Sequence, residues 1–267
     1  MISRYFTFTF SFTPALTITA ICIFISFLVS HSSYAETTYA SDKNHHNFNL
    51  MLHEYVNDGV VDYSQFQTDP RFPEYIDFIA TAKPGELATD KEQLAFWINA
   101  YNALSIKGIL DGKSPRSLLG RHSFFISKKY TVAGESISLN HLEKKIIIPY
   151  KEPRIHFAIV CASASCPKLI SEAYTAEKLD FQLNKNSIDF INNKEKNQIS
   201  LDKKKIKISK IFDWFEEDFS EHSGSVQKYI AQFINDEPLK NKLINEEFKV
   251  KHLKYNWNLN GIPPIKK

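Results

Sequence analysis

The chain has few cysteines, few glycines and little net charge, and each shortage excludes a class of protein. Its 267 residues include 3 cysteines and 8 glycines, and 33 basic against 30 acidic side chains leave a net charge of +3. So few cysteines exclude a small domain held together by disulfides. No nucleotide-binding glycine pattern and no zinc-type pattern of cysteines and histidines is present, so the sequence predicts no cofactor and no metal. The near-neutral charge gives no reason to expect nucleic acid or an anionic surface as a partner.

The first 35 residues have the pattern of a secretory signal peptide. Arg4 is their only charged residue, residues 15–30 form an apolar run, and small residues at 33 and 35 precede a suitable cleavage site. This pattern predicts the removal of residues 1–35. The alternative is an uncleaved membrane anchor, although the run is shorter than the ~20 apolar residues that cross a bilayer. We therefore expect an exported protein, periplasmic or secreted, with no stable membrane span after cleavage.

The rest of the sequence predicts a flexible lead-in, residues 36–48, followed by a single domain, residues 49–267. Thr89 and Glu92 match a capping box, the reciprocal pair of bonds that begins many helices. The helix should run to about Leu110, and its apolar residues cover most of its sides. Because a helix that is apolar all round is buried, this helix should lie at the centre of the fold.

Four segments have the patterns of strands or hairpins. Residues 130–139 and 198–208 are typical of hairpins. Arg154–Cys161 is apolar on both faces, which predicts a strand in the interior of a sheet. Tyr255–Gly261 alternates aromatic and polar residues and should form the last strand. Helices intermixed with hairpins predict an α+β fold, in which a mixed or antiparallel sheet packs against several helices.

Cys161 is the candidate nucleophile. It ends the predicted interior strand and precedes a loop of small residues, Ala162–Ser165, that leads to Cys166. A thiol in that position would be presented at a sheet edge, and the amides of the loop would form an oxyanion hole. His156 is the nearest candidate base. In a regular strand, however, residues an odd number apart point to opposite faces, which places His156 away from Cys161.

Further polar residues are candidates for the same site. Glu143 would orient the base as the third catalytic residue, or form an ordinary ion pair on its helix. Asn99 and Asn102 lie on one face of the central helix, and amides in an apolar helix must find partners. They either support the loop after Cys161 or line a pocket. The predicted binding or supporting residues are Asn99, Tyr101, Asn102, Ser165 and Cys166.

The two cysteines outside the signal peptide leave three hypotheses open. A turn between Cys161 and Cys166 would bring their Cα atoms within the ~7 Å that a disulfide requires. An oxidising compartment favours that bond. The first hypothesis is a cysteine-dependent hydrolase or acyl transferase. The second is a non-enzymatic periplasmic or envelope protein that binds a small molecule or peptide and has a structural disulfide. The third is a thiol–disulfide redox protein.

Six segments carry a resemblance to a known family. They are Glu54–Tyr63, Ala95–Leu104, Ser138–Glu143, Arg154–Pro167, Lys210–Phe219 and Tyr255–Asn260. Together they resemble the domain of unknown function 547 family, DUF547, over nearly all of the chain after the signal peptide. The resemblance implies a single DUF547-like domain over residues 49–267 and implies no activity, because none is assigned to the family. The family pattern often has a histidine after the acidic residue of the short helix, where this chain has Lys144 after Glu143.

Overall fold

The computed structural model describes residues 45–266, and a long helix, α4, organises the rest of the fold. It spans Asp90–Leu110. The Glu92 amide donates to Thr89 Oγ1 while the Thr89 amide donates to the Glu92 carboxylate, so the predicted capping box is confirmed. Most side chains from Leu94 to Ile109 are buried. The predicted central position of this helix is therefore confirmed as well.

The remaining elements are mostly short. The helices are α1 (residues 45–55 of the described part), α2 (Tyr63–Thr68), α3 (Arg71–Thr81), α5 (Leu118–His122), α6 (Leu139–His141), α7 (Leu179–Ile191), α8 (Ile211–Trp214), α9 (Glu216–Ser223), α10 (Val226–Ala231) and α11 (Glu237–Ile244). Pro84–Glu86, Ile148–Tyr150 and Pro153–Phe157 are 3₁₀ turns, and Ser123–Ser127 and Leu142–Ile147 are π-helical. The strands are β1 (Val56–Asn57), β2 (Val60–Asp62), β3 (Tyr130–Val132), β4 (Glu135–Ile137), β5 (Lys205–Ile208), β6 (Lys249–His252) and β7 (Gly261–Ile262).

The strands form three small sheets among the helices. In the first, β1 is antiparallel to β2, and β2 is parallel to β7. β3 and β4 form the hairpin predicted for residues 130–139. β5 and β6 pair in parallel. The predicted α+β class, with mixed and antiparallel strands packed against several helices, is confirmed.

The interior strand predicted for Arg154–Cys161 is wrong. Pro153–Phe157 is a 3₁₀ turn, in which Glu152 accepts a hydrogen bond from the Arg154 amide at its start. Proline suits this place because its fixed φ matches the first helical turn, where its missing N–H is not needed. The apolar run reflects burial on both sides: Ile155 packs in one hydrophobic cluster and Phe157 in another. Burial on two sides does not require a strand.

Two other strand predictions are wrong in part. Residues 198–208 do not form a hairpin, because Gln198 and Lys207 make only an isolated bridge and β5 pairs with the distant β6 instead. The predicted strand Tyr255–Gly261 is a chain without regular pairing, which bridges to Ser163 through Leu259 before β7 begins. In both cases the partner comes from far along the chain, and local alternation does not reveal it.

The N-terminal predictions fall at the edge of the described part. The predicted signal peptide, residues 1–35, lies outside it. Of the predicted lead-in, residues 36–48, only residues 45–48 are described; they are helical, and both His45 and Phe48 are buried. Their aromatic rings pack on Tyr75 of α3. Within residues 45–266, every helix is too short or too polar to cross a membrane.

Two hydrophobic clusters meet at the segment that precedes the cysteines. The larger surrounds α4, and the smaller surrounds Phe157, Phe212 and Phe219. Because Ile155 and Phe157 belong to different clusters, the turn between them lies at their boundary. The chain that leads to Cys161 is therefore held from both sides before it reaches the surface.

Candidate functional site

The three residues predicted from the sequence to be catalytic line one cavity. It has a volume of about 480 Å³ and is lined by Cys161, His156 and Glu143 among others. The lining side chains come from α4, α5, α6, the two π-helical turns, the segment 156–167, α8 with the residue after it, and the C-terminal segment. The volume falls within the ~300–1,000 Å³ of typical small-molecule sites.

Aromatic side chains form one wall of the cavity. The rings of Trp214, Tyr255 and Trp257 lie with their centroids 4.5–5.6 Å apart, and Phe125 and Phe215 also line the cavity. Trp214 comes from α8, whereas Tyr255 and Trp257 come from the C-terminal segment that the sequence assigned to a strand. A largely apolar wall with a few polar groups is typical of a ligand-binding cavity.

Cys161 and Cys166 form a disulfide at the floor of this cavity. Their sulfurs lie at bonding distance and their Cα atoms are 6.3 Å apart. The backbone amide of Cys161 donates to Cys166 Sγ at 3.0 Å. Ala162, directly after Cys161, is buried and has φ = 58°, a left-handed conformation that costs a residue with a Cβ. Strain of this kind persists only where the surroundings impose it, and it is frequent at functional sites.

The hydroxyl of Tyr255 lies against both sulfurs. It is 3.3 Å from Cys161 Sγ, donates to Cys166 Sγ at 3.3 Å, and accepts from Ser163 Oγ at 3.2 Å. Burial raises the pKa of Tyr255, so this hydroxyl keeps its proton. It is therefore a fixed proton donor beside the cysteine pair.

His156 is buried, and its ring is fixed by three neighbours. It stacks on Phe215 with centroids 3.9 Å apart, meets the edge of Phe219, and bonds Asp218 Oδ2 through Nε2 at 2.7 Å. A carboxylate only accepts, so Nε2 carries the proton and Nδ1 has the free lone pair. Nδ1 is buried and makes no hydrogen bond. Burial lowers the pKa of His156, although Asp218 opposes this effect.

The strand argument that separated His156 from Cys161 therefore does not hold. His156 lies in the 3₁₀ turn rather than in a strand, so alternation of faces does not apply. Both residues line the same cavity. Among the described residues, Cys161 Sγ lies within hydrogen-bond distance of the Ser163 and Tyr255 hydroxyls, and no histidine is among these partners.

Asp218 is the partner of His156, and the sequence did not identify it as a site residue. It lies on α9, and the His156 ring holds the pKa of its carboxyl below the usual range. The aspartate is therefore ionised at neutral pH, and its carboxylate accepts the hydrogen bond from His156 Nε2. The only signal in the sequence is its place in the aromatic and acidic segment Lys210–Phe219, which carries part of the family resemblance.

Glu143 lies in the cavity but does not orient His156. It comes from the π-helical turn Leu142–Ile147, a feature that is frequent at functional sites. Tyr101 donates to its Oε2 at 3.3 Å, and Lys144 Nζ lies 4.0 Å from Oε1. Burial raises the pKa of Glu143, while Lys144 and Tyr101 act in the opposite direction. The carboxyl of Glu143 is thus a buried polar group that lines the cavity. The residue that hydrogen-bonds His156, a position predicted for Glu143, is Asp218.

The two amides of the central helix bind the backbone of two different segments. Asn102 donates to Ala158 O at 3.0 Å and accepts from the Val160 amide at 2.8 Å. Asn99 makes the same pair of bonds to the backbone of Tyr174, at 2.8 and 2.9 Å. Neither amide lines the cavity. Asn102 instead holds the chain immediately before Cys161.

Two of the four loop amides predicted to form an oxyanion hole, those of Ala164 and Ser165, already have other partners. The amides of Ala164 and Ser165 donate to the carbonyls of Asn258 and Asn256, and the Cys166 amide donates to Ser163 O. Ser165 Oγ accepts from the Asn256 amide. These groups tie the cysteine loop to the C-terminal segment. The Tyr255 hydroxyl is a donor that remains at the cavity surface.

The described residues contain no cluster of three histidine, cysteine, aspartate or glutamate side chains arranged to hold a metal ion. The polar side chains among the lining of the cavity include Glu143, Tyr101 and Arg121.

Comparison with known proteins identifies one domain. Residues 85–191 match the family described as "Protein of unknown function, DUF547", which confirms the resemblance over that segment. The match includes α4, Glu143, His156 and both cysteines, and it ends before Asp218 and Tyr255. No curated protein and no solved structure matches the chain.

Proposed function

We propose that this chain, which carries a DUF547 domain over residues 85–191, is an exported cysteine-dependent hydrolase or acyl transferase. The observation that supports this best is the meeting of Cys161 and His156 at one cavity, with Asp218 bonded to the far nitrogen of the histidine. A nucleophile, a base and a group that orients the base are the parts that covalent acyl transfer needs. The signal-peptide pattern of residues 1–35 supports the exported location.

The chemistry requires the reduced form of the protein. An external dithiol first exchanges with the Cys161–Cys166 disulfide, which leaves two protein thiols and one oxidised dithiol. His156 Nδ1 then takes the proton of the Cys161 thiol, and the thiolate attacks the acyl carbon of the substrate. The leaving group departs with that proton, and Cys161 holds the acyl group as a thioester. Water or an acceptor alcohol or amine then takes the acyl group and returns the proton to Cys161.

Neighbouring residues have defined roles in this scheme. Asp218 keeps the proton of His156 on Nε2, which leaves Nδ1 as the base. The Tyr255 hydroxyl stabilises the negative charge on sulfur or on the carbonyl oxygen. Asn102 fixes the turn that presents Cys161. The aromatic wall favours an acyl group or a leaving group with a flat or apolar surface.

A second candidate is a binding protein without chemistry. The disulfide supports it, because a bonded Cys161 has no thiol to act as nucleophile. In that case the cavity binds an apolar or aromatic small molecule, with Glu143 and Tyr101 as hydrogen-bonding groups. The third hypothesis, thiol–disulfide exchange itself, shares its first step with the enzyme and differs in needing no base.

Matched cysteine variants test the proposal. Aryl esters with short and long acyl chains serve as probes, and hydrolysis is followed before and after reduction by a dithiol. The unchanged protein should be active only after reduction. Cys166→Ser should be active without it, because the substitution frees Cys161. Cys161→Ser should be inactive in both conditions, several orders of magnitude below the reduced unchanged protein, as expected for loss of a nucleophile.

Two further variants separate the alternatives. His156→Gln should abolish hydrolysis in the reduced protein while leaving the disulfide intact when oxidised. If Cys166→Ser is inert and its free thiol reacts with iodoacetamide no faster than an ordinary thiol, the enzyme hypothesis is wrong. Tight binding of aromatic probes by all these variants would then favour the binding protein. Catalysis of dithiol oxidation that survives His156→Gln would favour the redox protein.

A further inference from the structure

An exposed apolar patch lies at the mouth of the cavity. Leu118 and Leu119 of α5 are 77% and 86% exposed, and Ile126 of the following π-helical turn is 46% exposed. Leu118 and Ile126 also line the cavity, so the patch is continuous with it. Single exposed leucines are ordinary, but several adjacent ones indicate a surface that meets an apolar partner.

Buried residues flank the patch in the sequence. Ser117 caps α5 by accepting from the Gly120 amide at 3.0 Å, and Pro115 before the helix and Phe124 after it are buried. Phe125 packs edge-on against Phe124. The two leucines therefore stand exposed on a stretch whose ends are anchored in the fold.

The stretch of sequence that carries the patch has only basic charged residues. Residues 112–134 contain no aspartate or glutamate, whereas the basic residues in this stretch are Lys113, Arg116, Arg121, Lys128 and Lys129. Lys128 pairs with Asp111, and the Arg121 guanidinium lies 4.7 Å from the Trp257 ring centre at the cavity. The near-neutral charge of the whole chain conceals this local excess, which is why the composition gave no reason to expect an anionic surface.

We propose that residues 113–129, here called the basic apolar segment, dock on the surface of an anionic lipid bilayer. Interfacial binding combines burial of apolar side chains among the acyl chains with attraction of basic side chains to anionic head groups. The segment provides both on one short stretch of chain. A second copy of this chain is less suited, because the same five basic residues would face each other across the interface.

Docking of the basic apolar segment also determines where the mouth of the cavity lies. Leu118, Arg121 and Ile126 belong to both, so a docked protein holds the cavity mouth against the lipid. This arrangement gives an apolar ligand a path from the membrane to Cys161. The docking itself is independent of the chemistry proposed for the cavity, because it follows only from exposure and charge.

Binding to vesicles tests the docking. Phosphatidylcholine vesicles with and without phosphatidylglycerol are sedimented with the exported chain, from which residues 1–35 with their apolar run have been removed, and hydrogen exchange of residues 113–129 is measured in parallel. Only the anionic vesicles should bind strongly and slow exchange in this segment, and added salt should weaken both effects. Leu119→Ser should weaken binding about tenfold. Arg116→Gln and Lys129→Gln should each weaken it roughly fivefold, as expected for one basic residue near such a surface.

Matched variants elsewhere on the surface provide the control. Phe181→Ser removes an aromatic side chain that is 68% exposed on α7, and Lys204→Gln removes a charge from a different lysine cluster. Neither should change vesicle binding. Equal binding of all variants, or no protection of residues 113–129, overturns the proposal. Self-association that Leu119→Ser abolishes, without any effect of lipid, overturns it in favour of a second copy.

Discussion

Replacement of Asn102 by leucine tests how the central helix positions the cysteine loop. Asn102 is 2% exposed and satisfies both Ala158 O and the Val160 amide. Leucine has a similar size but no hydrogen-bonding group, so both backbone groups lose their partner while still buried. Each unsatisfied group costs ~1–3 kcal/mol, and the free energy of unfolding should therefore fall by ~2–6 kcal/mol for the two groups. A domain in the middle of the ordinary range, ~10 kcal/mol, remains folded after this loss.

The matched control is Asn99→Leu. Asn99 makes the same two bonds, but to the backbone of Tyr174, away from the cysteines. Guanidinium unfolding, followed by tryptophan fluorescence, should show a similar loss of stability for both variants. The rate at which a dithiol reduces the disulfide, measured by alkylation and mass shift, should rise only in Asn102→Leu.

Two outcomes would refute this reasoning. If Asn102→Leu unfolds at the same denaturant concentration as the unchanged protein, the two backbone groups do not depend on the amide. If both variants accelerate reduction equally, the effect is general loosening, and Asn102 does not specifically position Cys161.

Three further predictions follow from burial and from one close approach. Burial lowers the pKa of His45 from 6.5 to about 4, so stability should be complete above pH 6.5 and fall by ~3 kcal/mol as the pH drops to 4. His45→Phe should flatten this slope in pH-dependent unfolding. Burial raises the pKa of Glu143 above 4.5, so its ionisation weakens the fold as pH rises; Glu143→Gln should raise the unfolding midpoint at neutral pH and leave it unchanged below 4.5. A Cβ at Gly261 would lie 1.9 Å from Val61 O, so Gly261→Ala should break the pairing of β2 with β7 and speed hydrogen exchange of residues 255–262.

Each of these has a contrary outcome. An unchanged pH slope in His45→Phe would mean that another group causes the acid destabilisation. A lower midpoint for Glu143→Gln at neutral pH would mean that the carboxylate is stabilised by its neighbours rather than penalised by burial. Unaltered exchange in Gly261→Ala would show that the C-terminal segment is held by its contacts to the cysteine loop alone.

Sequence patterns correctly predicted the elements that are stabilised by residues close to one another along the chain. The capping box at Thr89 and the hairpin of β3 and β4 depend on residues only a few positions apart, so the sequence indicates them directly. The short strands depend on distant partners. β5 pairs with β6 rather than with the neighbouring residues that alternate in the same way, and no local signal distinguishes the two pairings.

The sequence by itself indicated the residue types of the site: a cysteine pair in a loop of small residues, a histidine before it and an acid on a short helix. Only the tertiary structure decided how they combine. It replaced the predicted strand by a 3₁₀ turn, which places His156 at the cavity of Cys161, and from far along the chain it brought Asp218 to His156 and Tyr255 to the cysteine sulfurs. The physical reason is that an apolar run reports burial but not backbone conformation, whereas the partner of a buried polar group depends on which distant segments pack against it.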